Sequence, residues 1–360
     1  MSSVRAVLGV RTHVASVQPR LAARVVSRTP LFYRGGSDAA LDRPAHVRAG
    51  SALARLGSGR LAVVQDDASF IAILEGARGA NERATLAGLV VRDVPLPSSD
   101  GVRQFDDGRG NKHAKLDLEA TLALEDGELL VAFGSGSSAV RERVVLVERP
   151  GGEDPRVTVV EARALYDALR GAAHFAGSEL NVEGAALAGE DVILFQRGNG
   201  AASETCAAVD ATARIDRGAL LAYLRGLASG DAAGPACPPL RDVVQWDLGA
   251  VEGTRLTFTD GVSGHAGHAW TGFVACAEAS PDATRDGPVS GVALGRLDDR
   301  AGTAELAPVT DERGAPLLDK AEGVAFDEDD PSKAWLVVDR DDPTSPAELL
   351  ELRLGEGWQS

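Results

Sequence analysis

The chain has 360 residues, 44% of them hydrophobic and 25% charged, with a formal net charge of -16. That is enough chain for a large buried core or for two domains, and the acidity argues against nucleic acid and anionic membrane surfaces as partners, since both repel it. No apolar run approaches the ~20 residues of a membrane-spanning helix, and three widely spaced cysteines, Cys206, Cys237 and Cys276, suit reduced thiols in a cytoplasmic protein better than a disulfide framework.

In chain order, the first 37 residues carry six arginines and no acidic residue. They lack the serine enrichment and amphipathic helix of an organellar transit peptide. Residues 1–20 are expected to be a poorly ordered, untargeted start, and 21–360 a single domain. "LAARVVS" at 21–27 reads as a strand with no unit of its own. "GSALARLGSGRLAVVQDD" then gives two strands around a turn, with Ser51 near the first strand's start. "KLDLEATLALEDGELLVAFGSGS" repeats the pattern with Glu119, and "LNVEGAALAGEDVILFQRGNG" with Glu183. "VEGTRLTFTDG" and "AWTGFVACAE" follow near the next expected anchor, Glu252, and "KAEGVAFDEDDPSKAWLVVDRDD" closes the series with Glu322.

Each unit continues into a third strand, and the first four into a fourth, all short, alternating or β-branched, and bounded by Gly, Asp and Pro. Two amphipathic stretches, "EARALYDALRG" and "ALLAYLRGLA", read as short helical insertions. A repeat of four-stranded units predicts an all-β protein, a β-propeller. Five blades are expected, with six as the alternative. The last unit lacks a fourth strand, so residues 21–27 are expected to complete it and close the ring, which removes exposed sheet edges.

In a propeller blade the innermost strand lines the central channel, so the start of strand one and the end of strand two lie on one face. Strand-one starts bring Lys115, Asp117, Glu119, Asn181, Glu183, Lys320 and Glu322 there. Strand-two ends add Gln65, Asp66, Asp67, Ser135, Ser137, Gln196, Arg197, Asn199, Asp339, Arg340 and Asp341. Convergent polar groups in a concavity mark a binding site. Glu119, Glu183 and Glu322 are the candidate catalytic groups. Lys115, Asp117, Asn181, Gln196, Arg197, Asn199, Lys320, Asp339 and Arg340 are the candidate ligand-binding groups. Like charges crowding one axis repel unless a cation or ligand offsets them, although carboxylates at strand starts can also be scaffolding between blades. His265 and His268 form an H-x-x-H in a Gly-rich loop with no third ligand in view. "GRGNKHAK" and "GSGSS" lack the ending of a phosphate-binding loop. The aspartates of "FDEDDPSKAW" suit turn solvation better than a calcium loop.

These three Glu-containing stretches resemble bacterial propellers of the phytase-like, or esterase-like, group, over most of residues 46–355. They are similar in form to gluconolactonase-type propellers as well. The resemblance implies a hydrolase acting on a small polar or phosphorylated substrate. It also implies a divalent cation such as calcium, with Glu183 and Glu322 as metal ligands. The protein is expected to be a monomer whose partner is a small polar molecule; a non-catalytic module binding a ligand or a protein partner is the competing expectation, because propellers host both.

Overall fold

The computed structural model describes residues 12–77, 85–98, 100–203, 206–230, 235–264, 270–282, 285 and 287–359. His265 and His268 lie outside them. Three strands come first: β1 (Thr12–Val14), β2 (Ser16–Val17) and β3 (Ala23–Pro30). The first meander is β4 (Gly50–Arg55), β5 (Leu61–Gln65), β6 (Phe70–Ala77) and β7 (Thr85–Pro95). β8 (Leu118–Leu124), β9 (Leu129–Gly134), β10 (Arg143–Glu148) and β11 (Arg156–Glu161) make the second. Helices α1 (Arg163–Gly171) and α2 (Ala173–Ala176) lead to the third, β12 (Val182–Ala188), β13 (Asp191–Gln196), β14 (Asp210–Asp216) and β15 (Arg241–Asp247). Helix α3 (Arg217–Ser229) interrupts it between β14 and β15, N-capped by the Asp216 carboxylate on the Ala219 amide.

A small hairpin, β16 (Ala250–Val251) and β17 (Thr254–Arg255), precedes the fourth meander. That meander is β18 (Thr257–Ser263), β19 (Thr271–Glu278), β20 (Val289–Asp298) and β21 (Thr303–Thr310). The last stretch supplies β22 (Lys320–Phe326), β23 (Lys333–Asp339) and β24 (Glu348–Leu354). β3 pairs antiparallel with β24 along its length. Residues 12–17 add two short parallel strands: β1 on the outer edge of β15 and β2 on β21. Unpaired edge amides and carbonyls offer any nearby extended segment a ladder, and the local sequence carries no mark of that.

The first strands of the meanders adjoin in the cyclic order β4, β8, β12, β18, β22 and back to β4. Apolar residues fill the space between each successive pair of sheets. Phe195, Phe258 and Phe273, for instance, stack edge-to-face between the third and fourth. The last and first meanders share a core of the same kind, with Trp335, Val337, Leu53 and Val63. This is the architecture of a β-propeller.

Every inner strand carries a register shift at one place: between Gly50 and Ala52, Leu118 and Ala120, Val182 and Gly184, Phe258 and Asp260, and Ala321 and Gly323. The skipped residues are Ser51, Glu119, Glu183, Thr259 and Glu322. The repeated glutamate is thus a β-bulge residue, freed from the ladder and re-aimed by it. This corrects the fourth anchor. Glu252 lies in the exposed β16–β17 turn with φ 51°, and Thr259 holds the equivalent position.

The glycine after the glutamate has a separate cause. A Cβ on Gly184 would sit 2.3 Å from the Gly261 amide nitrogen of the next inner strand, and one on Gly323 2.7 Å from that of Leu53. Backbone cannot move aside as a side-chain tip can. Gly184→Ala is therefore expected to lose roughly 1–3 kcal/mol by overpacking. An equilibrium denaturation midpoint unchanged from the parent would refute that close approach.

Candidate functional site

The five bulge positions divide by side chain. Ser51 donates to the Leu118 carbonyl oxygen at 2.5 Å, and Thr259 to that of Ala321 at 2.7 Å. Each ties its inner strand to the next. Asp260, beside Thr259, does similar work: its carboxylate accepts from the amides of Gly261 at 2.7 Å and Val324 at 2.9 Å. These polar groups are scaffolding. The three glutamates are buried, at 9% exposure for Glu119, 4% for Glu183 and 3% for Glu322.

Two cationic hubs hold most of the carboxylates. Arg197, at the end of β13 and 3% exposed, reaches Glu183 Oε1 at 3.4 Å, Glu322 Oε1 at 4.0 Å and the Glu278 carboxylate. It joins three successive meanders. Asn181 donates to the same Glu183 oxygen at 2.6 Å and to Asn199 Oδ1 at 3.2 Å. Lys320 Nζ lies 3.2 Å from Glu322 Oε1, 3.9 Å from Asp339 and 3.2 Å from Asp341.

The second hub is Lys115, whose ammonium sits 2.5 Å from Asp66 Oδ2, 2.9 Å from Asp117 Oδ1 and 3.4 Å from Asp67. Arg141 meets the other Asp117 oxygen at 2.8 Å, and the Ser135 hydroxyl donates to that oxygen too. Asp117 has φ 54°, a left-handed conformation that Asp tolerates better than most residues.

Glu119 stands apart. Its carboxylate oxygen, one from Asp66 and one from Asp117 all lie within 4.8 Å of one another. Yet it has no hydrogen-bond or ion-pair donor among the described residues. Burial pushes its pKa well above the usual carboxylate range, and the charges of Asp66, Glu183, Asp117 and Glu322 push it further. Asp66 moves the same way, by burial first; one of its oxygens is buried with no donor in its ionised form. Burial acts on Asp117 too, but Lys115 and Arg141 outweigh it and hold Asp117 at about 2. The two neighbouring carboxyls are thus pushed apart, Asp66 towards its protonated form and Asp117 towards its ionised form. Glu322 is raised by burial against the pull of Lys320, and Asp339 is raised by burial to about 7.

Two residues from the sequence-derived set are spent elsewhere. Gln196 accepts from the Asn181 amide at 2.8 Å and donates to the carbonyls of Glu179 and Arg197, just as Gln65 serves Arg48, Tyr33 and Phe70 in the first meander. Arg340 turns to Asp319 at 2.5 Å and Glu348 at 3.2 Å, in a half-exposed network with Arg28. Neither touches the bulge glutamates. Sequence reasoning missed Glu278 and Arg141. Glu278 ends the second strand of the fourth meander, so the repeat could have found it; Arg141 sits in a connecting turn with no periodic mark.

A cavity of about 700 Å³ opens at the opposite ends of the inner strands, by Arg55, Leu124, Leu187 and Arg217. Its arginines already have partners, Arg55 with Glu328 at 3.2 Å and Arg217 with Glu190 at 2.7 Å. We therefore place the candidate site at the carboxylate end, where a buried ionisable group is left over.

Fold and site together define a β-propeller with a buried acidic cluster where its inner strands begin. The chain belongs to a family of unknown function (DUF6929), whose model matches residues 46–354. No curated protein matches the sequence. Among solved structures it is similar to the β-propeller domain of Cps50 (Swd1) from Myceliophteria thermophila, at 9% identity and TM-score 0.32. That match covers 82% of this chain and 65% of the other, so the chain spans just under two thirds of that structure. It is similar to a mannose phosphorylase from Leishmania mexicana at 13% identity and TM-score 0.41, covering 91% and 88%. The aldose sugar dehydrogenase of Streptomyces coelicolor matches at 13% identity and TM-score 0.36, covering 91% and 98%. No helix among the described residues is long and apolar enough to cross a membrane.

Proposed function

We propose that the carboxylate end of the channel binds a small polar molecule and that the protein is a hydrolase working by proton transfer, with Glu119 as the transferring group. One observation carries this reading: a buried carboxyl with no partner among the described residues, beside a pair of acids whose pKa values are pushed apart. Such pairs assign acid and base roles, because one member keeps its proton at neutral pH while the other cannot. Asp117 is the member held towards its ionised form, Asp66 and Glu119 those pushed towards their protonated forms. Asp67 adds a further carboxylate, so a phosphorylated substrate is disfavoured against a polar one without negative charge.

Glu183 and Glu322 do not fit a divalent cation. One oxygen of each, Oε1, is already engaged, by Arg197 and Asn181 at Glu183 and by Arg197 and Lys320 at Glu322. An ion there would sit beside the buried, like-charged Arg197 guanidinium. No step is therefore routed through a metal. The expected outcome is that a strong chelator leaves the melting temperature of the purified protein unchanged. A stoichiometric divalent ion whose removal lowers that temperature would overturn this assignment.

The same reading takes the five meanders as the blades of one propeller, closed by β3 as the last strand of the fifth. The β24–β3 ladder and the core between the last and first meanders support it.

The competing reading is a ring that binds its ligand without chemistry. It draws on the three bonds of the Gln196 amide and on Arg197, which tie the mouth together as scaffolding would. A panel of chromogenic esters, glycosides and phosphoesters separates the two. Positioned acid–base catalysis contributes about 10²–10⁴-fold, so Glu119→Gln should cost a loss of that order on any ester or glycoside the parent cleaves. If no panel member is turned over faster by the parent than by Glu119→Gln, the non-catalytic reading stands.

A further inference from the structure

We infer that the ligand received at Glu119 carries a protonated primary amine. The inference rests on the proposed role of Glu119 as a ligand-facing group and specifies what it faces. Around this point four carboxyls, Asp66, Asp67, Asp117 and Glu119, face three cations: Lys115, Arg141 and, 3.9 Å from Asp67, Arg48. All three have acceptors; Arg48 also meets Asp106 at 3.3 Å. Lys115 bridges the three aspartates, and Arg141 holds Asp117 and the Ser137 hydroxyl at 2.8 Å. An anionic group arriving here meets the Asp117 carboxylate and finds Lys115 and Arg141 already engaged.

What the site lacks is donors. Glu119, nine-tenths buried, accepts from no described residue, and one Asp66 oxygen is buried without a donor. A ligand hydroxyl brings one donor and no charge. An ammonium brings three donors and one positive charge. Three acceptors about 2.9 Å from one ammonium nitrogen stand about 4.7 Å apart, by tetrahedral geometry. The oxygens of Asp66, Asp117 and Glu119 fall within 4.8 Å of one another. The chain itself shows the chemistry on one side of this cluster: the Lys115 ammonium fits among the aspartates. A second ammonium at Glu119 completes the other side.

Calorimetric titration of the whole protein with ethanolamine and 1,4-diaminobutane, against ethylene glycol, 1,4-butanediol and calcium chloride, tests this. The amines should bind and their uncharged counterparts should not. Glu119→Gln and, independently, Asp66→Asn should each weaken amine binding at least about tenfold, the scale of a lost charge-assisted hydrogen bond. Using two variants guards against one that folds poorly. If the diols bind as well as the amines and depend on Glu119, the amine assignment fails while the site stands. Calcium binding in place of amine, or no amine binding up to about 50 mM, a level at which even weak ligands stabilise measurably, also overturns it. The hydrolytic role is judged separately, by whether Glu119→Gln loses activity on the chromogenic panel.

Discussion

Glu119→Gln makes the protein more stable at about pH 8 and leaves it unchanged at about pH 4, by the linkage of stability to proton binding. The folded-state pKa of Glu119 is raised above its unfolded value, by burial first and then by four neighbouring carboxylates. A group shifted that way favours the folded state fully below its unfolded pKa. That contribution is lost as pH rises through the folded pKa, where a buried, partnerless anion must form. Glutamine keeps the shape, cannot ionise, and offers an amide donor towards Asp66. A gain of about 1–3 kcal/mol at the higher pH is expected, the range for relieving an unsatisfied buried group. Denaturant unfolding of parent and variant at both pH values reads it. If the variant is less stable at the higher pH, Glu119 is held by donors and belongs to the scaffold.

The larger effect is expected at Arg197. Replacing it with Met leaves Glu183, Glu278 and Glu322 as buried carboxylates without their common cation. Breaking a buried ion pair from one side costs about 3–5 kcal/mol, because the uncompensated charge remains. The loss should shrink on acidification. Glu183 and Glu322 already have raised pKa values, by burial first, and removing Arg197 takes away a charge that opposes the rise. Protonation then neutralises them at milder acidity. Adding Glu183→Gln to Arg197→Met should recover part of the loss at neutral pH. A loss below about 1 kcal/mol, within the range of a surface pair, would show that Arg197 is not the hub joining these meanders.

The contrast between these two residues shows how far the amino-acid sequence reaches. The period of the Glu-Gly stretches, the alternation within the strands and the missing fourth strand of the last unit are local patterns. They sufficed for the propeller class and for the end of the channel where polar groups gather. The equivalence of Glu119, Glu183 and Glu322 was legible because a bulge recurs at one place in each inner strand, and a repeat preserves place. The fourth unit misled because a Glu-Gly pair happens to form the turn at 252–253, while the bulge itself holds Thr259.

Which glutamate is left over could not be read from the chain. Glu183 takes its guanidinium from Arg197 in its own meander, but Arg197 is shared with Glu278, 81 residues away, and Lys115 is claimed by Asp66, 49 residues back. Those pairings exist only once the inner strands adjoin around the axis. Charge balance at the site is a sum over meanders, and spacing within one meander contains no information about what the next will bring. The sequence by itself determined that three carboxylates would stand at matching positions. Only the tertiary structure decided that two of them are paired and one is not, because burial and ring packing set the distance from each carboxylate to the few cations within reach.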